Sequence, residues 1–163
     1  MSVDEDLAVI AKQEARLQFA SFDAAAAWLL GLRLREAAAA RGAAVTLDIW
    51  LGAHQLFLNA MPGTTPDNAE WARRKRNVVL RFHRSSYAVG LELMRRETSL
   101  REKYGLEDRD YAAHGGCFPL LLRGTGCVGT IAVSGLPQRE DHALIVAAVA
   151  AELGVPGHEV ALP

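Results

Sequence analysis

Ala44-Val-Thr-Leu-Asp-Ile-Trp50, then Gly52-Ala53, then His54-Gln-Leu-Phe-Leu-Asn-Ala60 is the stretch whose spacing decides the fold. Val45, Leu47 and Ile49 alternate with Thr46 and Asp48. That two-residue period sends alternate side chains to opposite faces of a strand, and the Gly-Ala step turns the chain back into a second one. The reading is a β-hairpin. A second hairpin is written near the C-terminus, where Cys117 to Leu122 and Cys127 to Val133 flank the turn Arg123-Gly-Thr-Gly126.

Helical patterns surround the hairpins. Asp4 to Gln13 reads as a short helix with an acidic start, and Arg16-Leu-Gln-Phe19 as a brief strand. Ser21 or Asp23 caps a helix through Trp28, Leu29 and Leu32 that stops at Arg41-Gly42. After the loop Met61 to Pro66, Asp67 caps a helix whose apolar stripe is Trp71, Val78, Val79 and Phe82. Ser85 to about Lys103 continues as a second helix, and Leu106 to Gly116 is polar and turn-like. Pro137 opens the last helix, with Glu140 and Asp141 in its first turn and Gly154 as its stop. Two hairpins with helices between them predict an α+β fold, one antiparallel sheet covered by helices. The length of 163 residues is that of one domain, spanning 1–163.

Half of the residues are apolar, 23% are charged and the net charge is -1, which excludes a disordered or collagen-like chain. No window has the apolar length of a membrane span, and the start, Met1-Ser-Val-Asp-Glu-Asp, is acidic where a signal peptide is basic. The expectation is a cytoplasmic protein without a membrane partner. Charge is uneven: Glu70 to Lys103 holds ten Lys or Arg against four Glu. With a pI near 6.5 and no aromatic interleaving, that surplus reads as solvated helix faces and subunit-interface ion pairs, not as a nucleic-acid surface. Cys117 and Cys127 read as buried thiols, since the hairpin register sets Cys117 opposite a position near Val133 and too far from Cys127 for a bridge.

Lys75 stands on the apolar stripe of its helix, four residues after Trp71 and four before Val79. Such a lysine either snorkels along the core edge, the first reading, or is held there by a carboxylate.

Three segments, His114-Gly-Gly-Cys-Phe-Pro119, Gly126-Cys-Val-Gly-Thr-Ile-Ala-Val-Ser-Gly135 and Glu140-Asp-His142, resemble the C-terminal signature of the HbpS-like superfamily, which includes haem-binding sensor-associated proteins and the C-terminal domains of PduO-type proteins. Trp71-Ala-Arg-Arg-Lys-Arg-Asn-Val-Val79 with Ser85-Ser-Tyr87 resembles one uncharacterised bacterial and fungal branch, often labelled heme-degrading domain proteins. The resemblance implies a profilin-like fold with a five-stranded antiparallel sheet flanked by helices, and homo-oligomers from dimers upward. It carries over to Lys75, Gly115, Gly116, Pro119, Gly129, Ser134, Gly135 and Asp141. With His114, the set Lys75, Gly115, Gly116, Ser134, Gly135 and Asp141 is the candidate ligand site. A diglycine, a Ser-Gly at a strand end and a helix N-terminus expose backbone N–H groups that suit a carboxylate or phosphate on a small anionic ligand. Gly129 reads as a point of close backbone packing within a strand.

Three function classes follow. Haem, implied by the resemblance alone, needs an iron ligand, and only His54, His83, His114, His142 and His158 are available. An enzyme finds no support in HExxH, P-loop, GxSxG or paired CxxC patterns, and Asp141 and His142, adjacent on a helix, point about 100° apart. A ligand-binding module or oligomeric scaffold therefore ranks above an enzyme.

Overall fold

Both hairpins form and lie side by side in one sheet in the computed structural model, which describes residues 2–163. In chain order the elements are α1 (Val3–Arg16), α2 (Ala24–Ala40), β1 (Thr46–Leu51), β2 (His54–Ala60), α3 (Pro66–Phe82), α4 (Ser86–Arg95), α5 (Leu100–Tyr104), β3 (Cys117–Leu122), β4 (Gly126–Ser134) and α6 (Gln138–Leu153). The strand order is β2-β1-β4-β3 with every pair antiparallel. Gly129 lies on β4 opposite Leu51 of β1, where a Cβ would run into the Trp50 carbonyl. Glycine is what lets the two hairpins close into one sheet.

The sheet has helices on both faces. On one face, α2 and α6 cover Leu47, Ile49, Leu120, Ile131 and Val133, and α6 contributes Leu144, Ile145 and Val149 to the same core. Buried residues run all around α6, from Asp141 and His142 to Ala150, because it is wedged between the sheet and the other helices. On the other face, α3 lies over β4, β3 and β1, packing Ala72 and Val79 against Cys117 and Ala132. Helices α1 and α4 close the end through Leu7, Ile10, Tyr87 and Leu91. Among the described residues, no helix is long and apolar enough to cross a membrane.

The structure differs from the sequence expectations in four places. The sheet has four strands, not five: the expected strand Arg16–Phe19 shrinks to a single bridge between Phe19 and Leu122. The α1 helix runs through Arg16, and Leu17 N–H still donates to Gln13 O at 2.8 Å, so too few residues remain for a strand. Thr65, not Asp67, is the N-cap of α3, its own N–H donating to Asn68 Oδ1 at 2.9 Å with Pro66 as the first helical residue. The helix expected from Ser85 to Lys103 is two helices, broken where Glu97 adopts a left-handed φ of 51° and restarted by the Ser99–Glu102 capping box. Finally, a bulge between Leu120 and Leu121 moves the register, so that Cys117 sits opposite Ala132 and Cys127 opposite Leu121.

That register separates the cysteines by five positions along β4, roughly 16 Å at the strand rise. Burial pushes the Cys117 thiol well above its ordinary range and raises that of Cys127 as well. Unreduced, denatured protein is expected to show two free thiols, and in the native state Cys127 should react slowly with a thiol reagent while Cys117 stays silent. Zero thiols, with a mass two hydrogens lower, would contradict this reading.

Candidate functional site

Asn68, Trp71 and Lys75 recur at helical spacing on α3 and face the end of β4. Lys75 does not snorkel: its side chain is 5% exposed, and Nζ donates to Asp141 Oδ2 at 3.0 Å and to Val133 O at 3.1 Å. Asp141, 1% exposed, is saturated in turn: Oδ1 accepts from Leu136 N–H at 3.0 Å and Oδ2 from Gly135 N–H at 3.4 Å. A residue of the first turn of α6 thus folds back onto the loop that enters the helix. Burial pushes the Asp141 carboxyl above the ordinary range, against the pull of Lys75 and the two N–H groups. Glu140, the neighbouring acid in the same turn of α6, is not the partner.

Gly116 explains why the diglycine is needed. Its φ is +119°, and a Cβ there would collide with Lys75 Nζ and the Val133 carbonyl. The Gly116 carbonyl accepts from Val133 N–H at 2.8 Å, so the backbone passes directly over the ammonium. Gly115 N–H is already used, donating to Gln138 Oε1 at 3.2 Å. Ser134, at the end of β4, is buried and its carbonyl accepts from Asn68 Nδ2 at 3.4 Å.

Six of the seven candidate residues, Lys75, His114, Gly115, Ser134, Gly135 and Asp141, line one cavity of about 310 Å³, and Gly116 backs onto Lys75 beside it. A neighbouring cavity of about 480 Å³ has Leu93, Leu100, Tyr111 and Ala112 in its walls and shares Trp71 and His114 with the first. The His114 ring meets Trp71 edge-on, centroids 5.3 Å apart, and the Arg74 guanidinium lies over the Trp71 ring, 4.1 Å from its centroid. Partial burial, then Lys75 and Arg74, lowers the His114 pKa, so the imidazole is neutral at pH 7. Trp71, Asn68, Arg74 and Gln138 also line the two cavities, and none of them was a candidate from the sequence. Their signal was the shared stripe with Lys75 for the first two; for Gln138, across the fold, there was none.

The geometry also changes the chemistry. The N–H groups of Gly135 and Leu136 and the Lys75 ammonium, expected to await an anion, hold the chain's own Asp141 carboxylate. The floor of the cavity is a closed ion pair, not an open anion nest. His142 is elsewhere: fully buried, its Nε2 is 2.8 Å from Gln13 Oε1. His54, His83 and His158 are exposed and line neither cavity. Among the described residues, no group of three or more His, Cys, Asp or Glu is placed to hold a metal ion. The basic middle third is largely committed within the chain: Arg73 to Glu70 and Asp110, Arg76 to Asp48, Arg84 to Glu14 and Glu92, and Arg95 to Asp4.

Residues 22–150 match the family model described as haem degrading protein HbpS-like. A UPF0303 protein of Azotobacter vinelandii is 63% identical over 162 residues, covering 99% of this chain and 98% of its own. One of Serratia proteamaculans is 54% identical over 155 residues, covering 95% and 96%. Among solved structures, that of the Ybr137w protein superposes with a TM-score of 0.85 at 29% identity, covering 91% of this chain and 87% of that one. A PduOC:heme complex superposes with a TM-score of 0.64 at 21% identity, covering 76% and 89%, a likeness of fold.

Proposed function

The chain belongs to the HbpS-like family of haem-degrading proteins, in its UPF0303 branch, and we propose that it is a homo-oligomeric small-ligand-binding module, acting as one unit over 1–163 in the cytoplasm. One observation carries the reading: two cavities meet at Trp71 and His114 above an ion pair that is already complete. With Lys75 and Asp141 committed to each other and His142 sealed in the core, the site supplies walls and hydrogen-bonding groups, not an acid–base couple. The ligand it suits is flat and largely apolar, stacked near Trp71, with an acidic group toward Arg74.

Haem is the specific second reading, and His114 favours it. The residues fit the group: a neutral imidazole for the iron, the apolar walls Leu93, Leu100 and Ala112, and Arg74 for a propionate. Bound haem would supply redox-active iron. The chain's own contribution is to present His114 unprotonated and to place Trp71 beside it.

Titration with hemin, followed by the visible absorbance band and by tryptophan quenching, tests both readings. If haem is the ligand, His114→Ala is expected to shift the band and weaken binding at least about tenfold, roughly 1.4 kcal/mol. Quenching that survives His114→Ala but falls with Arg74→Gln supports the apolar-acid site without iron ligation. Neither quenching nor a band at micromolar hemin would remove this cleft as a site for such a ligand.

A further inference from the structure

With the homo-oligomeric reading above as premise, we infer that the free edge of β2 and the apolar side chains flanking it, Trp28 and Leu58, form the contact between two copies of this chain, paired strand to strand about a twofold axis. The sheet has two edges, and the chain treats them differently. The β3 edge is closed from within, where Phe19 N–H donates to Leu121 O at 2.8 Å and Phe19 O accepts from Arg123 N–H at 2.9 Å. The β2 edge has β1 on one side and no strand on the other. An open edge is a template for another strand, and proteins that keep one open usually blunt it with Lys, Pro or inward charge. His54-Gln-Leu-Phe-Leu-Asn-Ala60 contains none of these. The bulge in the β1–β2 pairing is on β2 itself, at Leu56, since Ile49 faces Phe57 and Trp50 faces Gln55; it blunts the His54–Leu56 end of the edge and leaves Phe57 to Ala60 regular and available.

Both sides of that edge are apolar. Trp28 of α2 is 58% exposed and meets the Phe57 ring edge-on at 5.8 Å, and Leu58, opposite Asp48 on the other face of the sheet, is 56% exposed. Asn59 Oδ1 is buried there without a hydrogen-bond partner among the described residues. Charge favours a second copy as the occupant. A twofold axis perpendicular to the sheet sets α2 antiparallel to its symmetry mate, and α2 is uneven in charge: Asp23 caps its start, while its second half carries Arg33, Arg35 and, at the C-cap, Arg41 against one acid, Glu36. The acidic end of one copy then faces the basic end of the other, and the interface is self-complementary as a twofold contact requires.

Light scattering at micromolar concentration, beside circular dichroism to confirm folding, tests the surface. Leu58→Lys and Trp28→Lys are expected to keep the fold and to raise the dissociation constant of the β2 contact on the order of 100-fold, so that the mass falls by half or more. Met94→Lys, at an equally exposed side chain beside the cleft, should leave the mass unchanged. A wild-type mass of 17.6 kDa would overturn the homo-oligomeric reading and this surface together. An oligomer that keeps its mass in both Leu58→Lys and Trp28→Lys, or loses it equally in Met94→Lys, would overturn the surface alone.

Discussion

Lys75→Met is expected to destabilise the protein by about 3 kcal/mol, the cost of leaving one member of a buried ion pair without the other. For a chain of this length that is a fall of about 6–12 °C in melting temperature. The side chain removed is only 5% exposed, and what it leaves behind is a carboxylate at 1% exposure and the Val133 carbonyl, both without the ammonium that faced them. Lys103→Met is the proper reference. That lysine is exposed and its neighbour is the Tyr104 ring at 5.1 Å, so its loss should cost less than about 1 kcal/mol. Adding Asp141→Asn to Lys75→Met should recover part of the loss, because the amide oxygen still accepts a backbone N–H while the stranded charge is gone. Recovery stays partial, since Asp141 serves both Gly135 and Leu136. Equal melting temperatures for Lys75→Met and Lys103→Met would mean that the ammonium is not held between Asp141 and Val133.

The parts of this molecule that were legible in the sequence are those whose cause is local. The two-residue alternation at Val45 to Ile49 gave β1, and the lysine out of place on an apolar stripe marked the centre of the cavity. Even so, the first reading of that lysine was snorkelling, because its partner is 66 residues away on another helix and nothing local brings the two together. The partners of the glycine N–H groups were hidden for the same reason. Gly115 and Gly135 offer N–H groups in any local view, and only the fold shows that Gln138 and Asp141 reach them first. Boundaries were lost where two local rules competed: helix continuation through Arg16 overrode the short strand, and the left-handed Glu97 divided one expected helix in two. Trp71 was legible as a core residue of α3 and not as a wall of the site, since periodicity reports which face a residue is on and not what opens in front of it.

Acidification should destabilise the protein through His142, and the effect should be large well before the carboxylates titrate. His142 is fully buried, and burial, with Arg139 adding to it and Asp6 opposing, lowers its pKa to about 3. Its surroundings give a cation no foothold. Gln13 Nε2 donates to Val160 O at 2.6 Å, so Gln13 Oε1 is the group facing His142 Nε2–H, and Nδ1 has no hydrogen-bond partner among the described residues. The rings of Tyr87 and Phe118 occupy two further sides. Above pH 6.5 the imidazole is neutral in both folded and unfolded chains and contributes no pH dependence. Below it the unfolded chain takes up a proton that the folded chain refuses, so stability falls by about 1.4 kcal/mol per pH unit. Between pH 6.5 and pH 4.5 the loss is about 2–3 kcal/mol. His114, also lowered, acts in the same direction but is half open to solvent and adds less. Asp48 and Asp141, raised by burial, act the other way, holding their protons more tightly when folded and so gaining stability as the pH falls. All three are common to the wild type and to His142→Gln, whose amide keeps a donor toward Gln13 and cannot be protonated. Denaturant midpoints across this range should therefore slope steeply for the wild type and nearly level off for His142→Gln, and parallel slopes for the two proteins would show that another group carries the acid sensitivity.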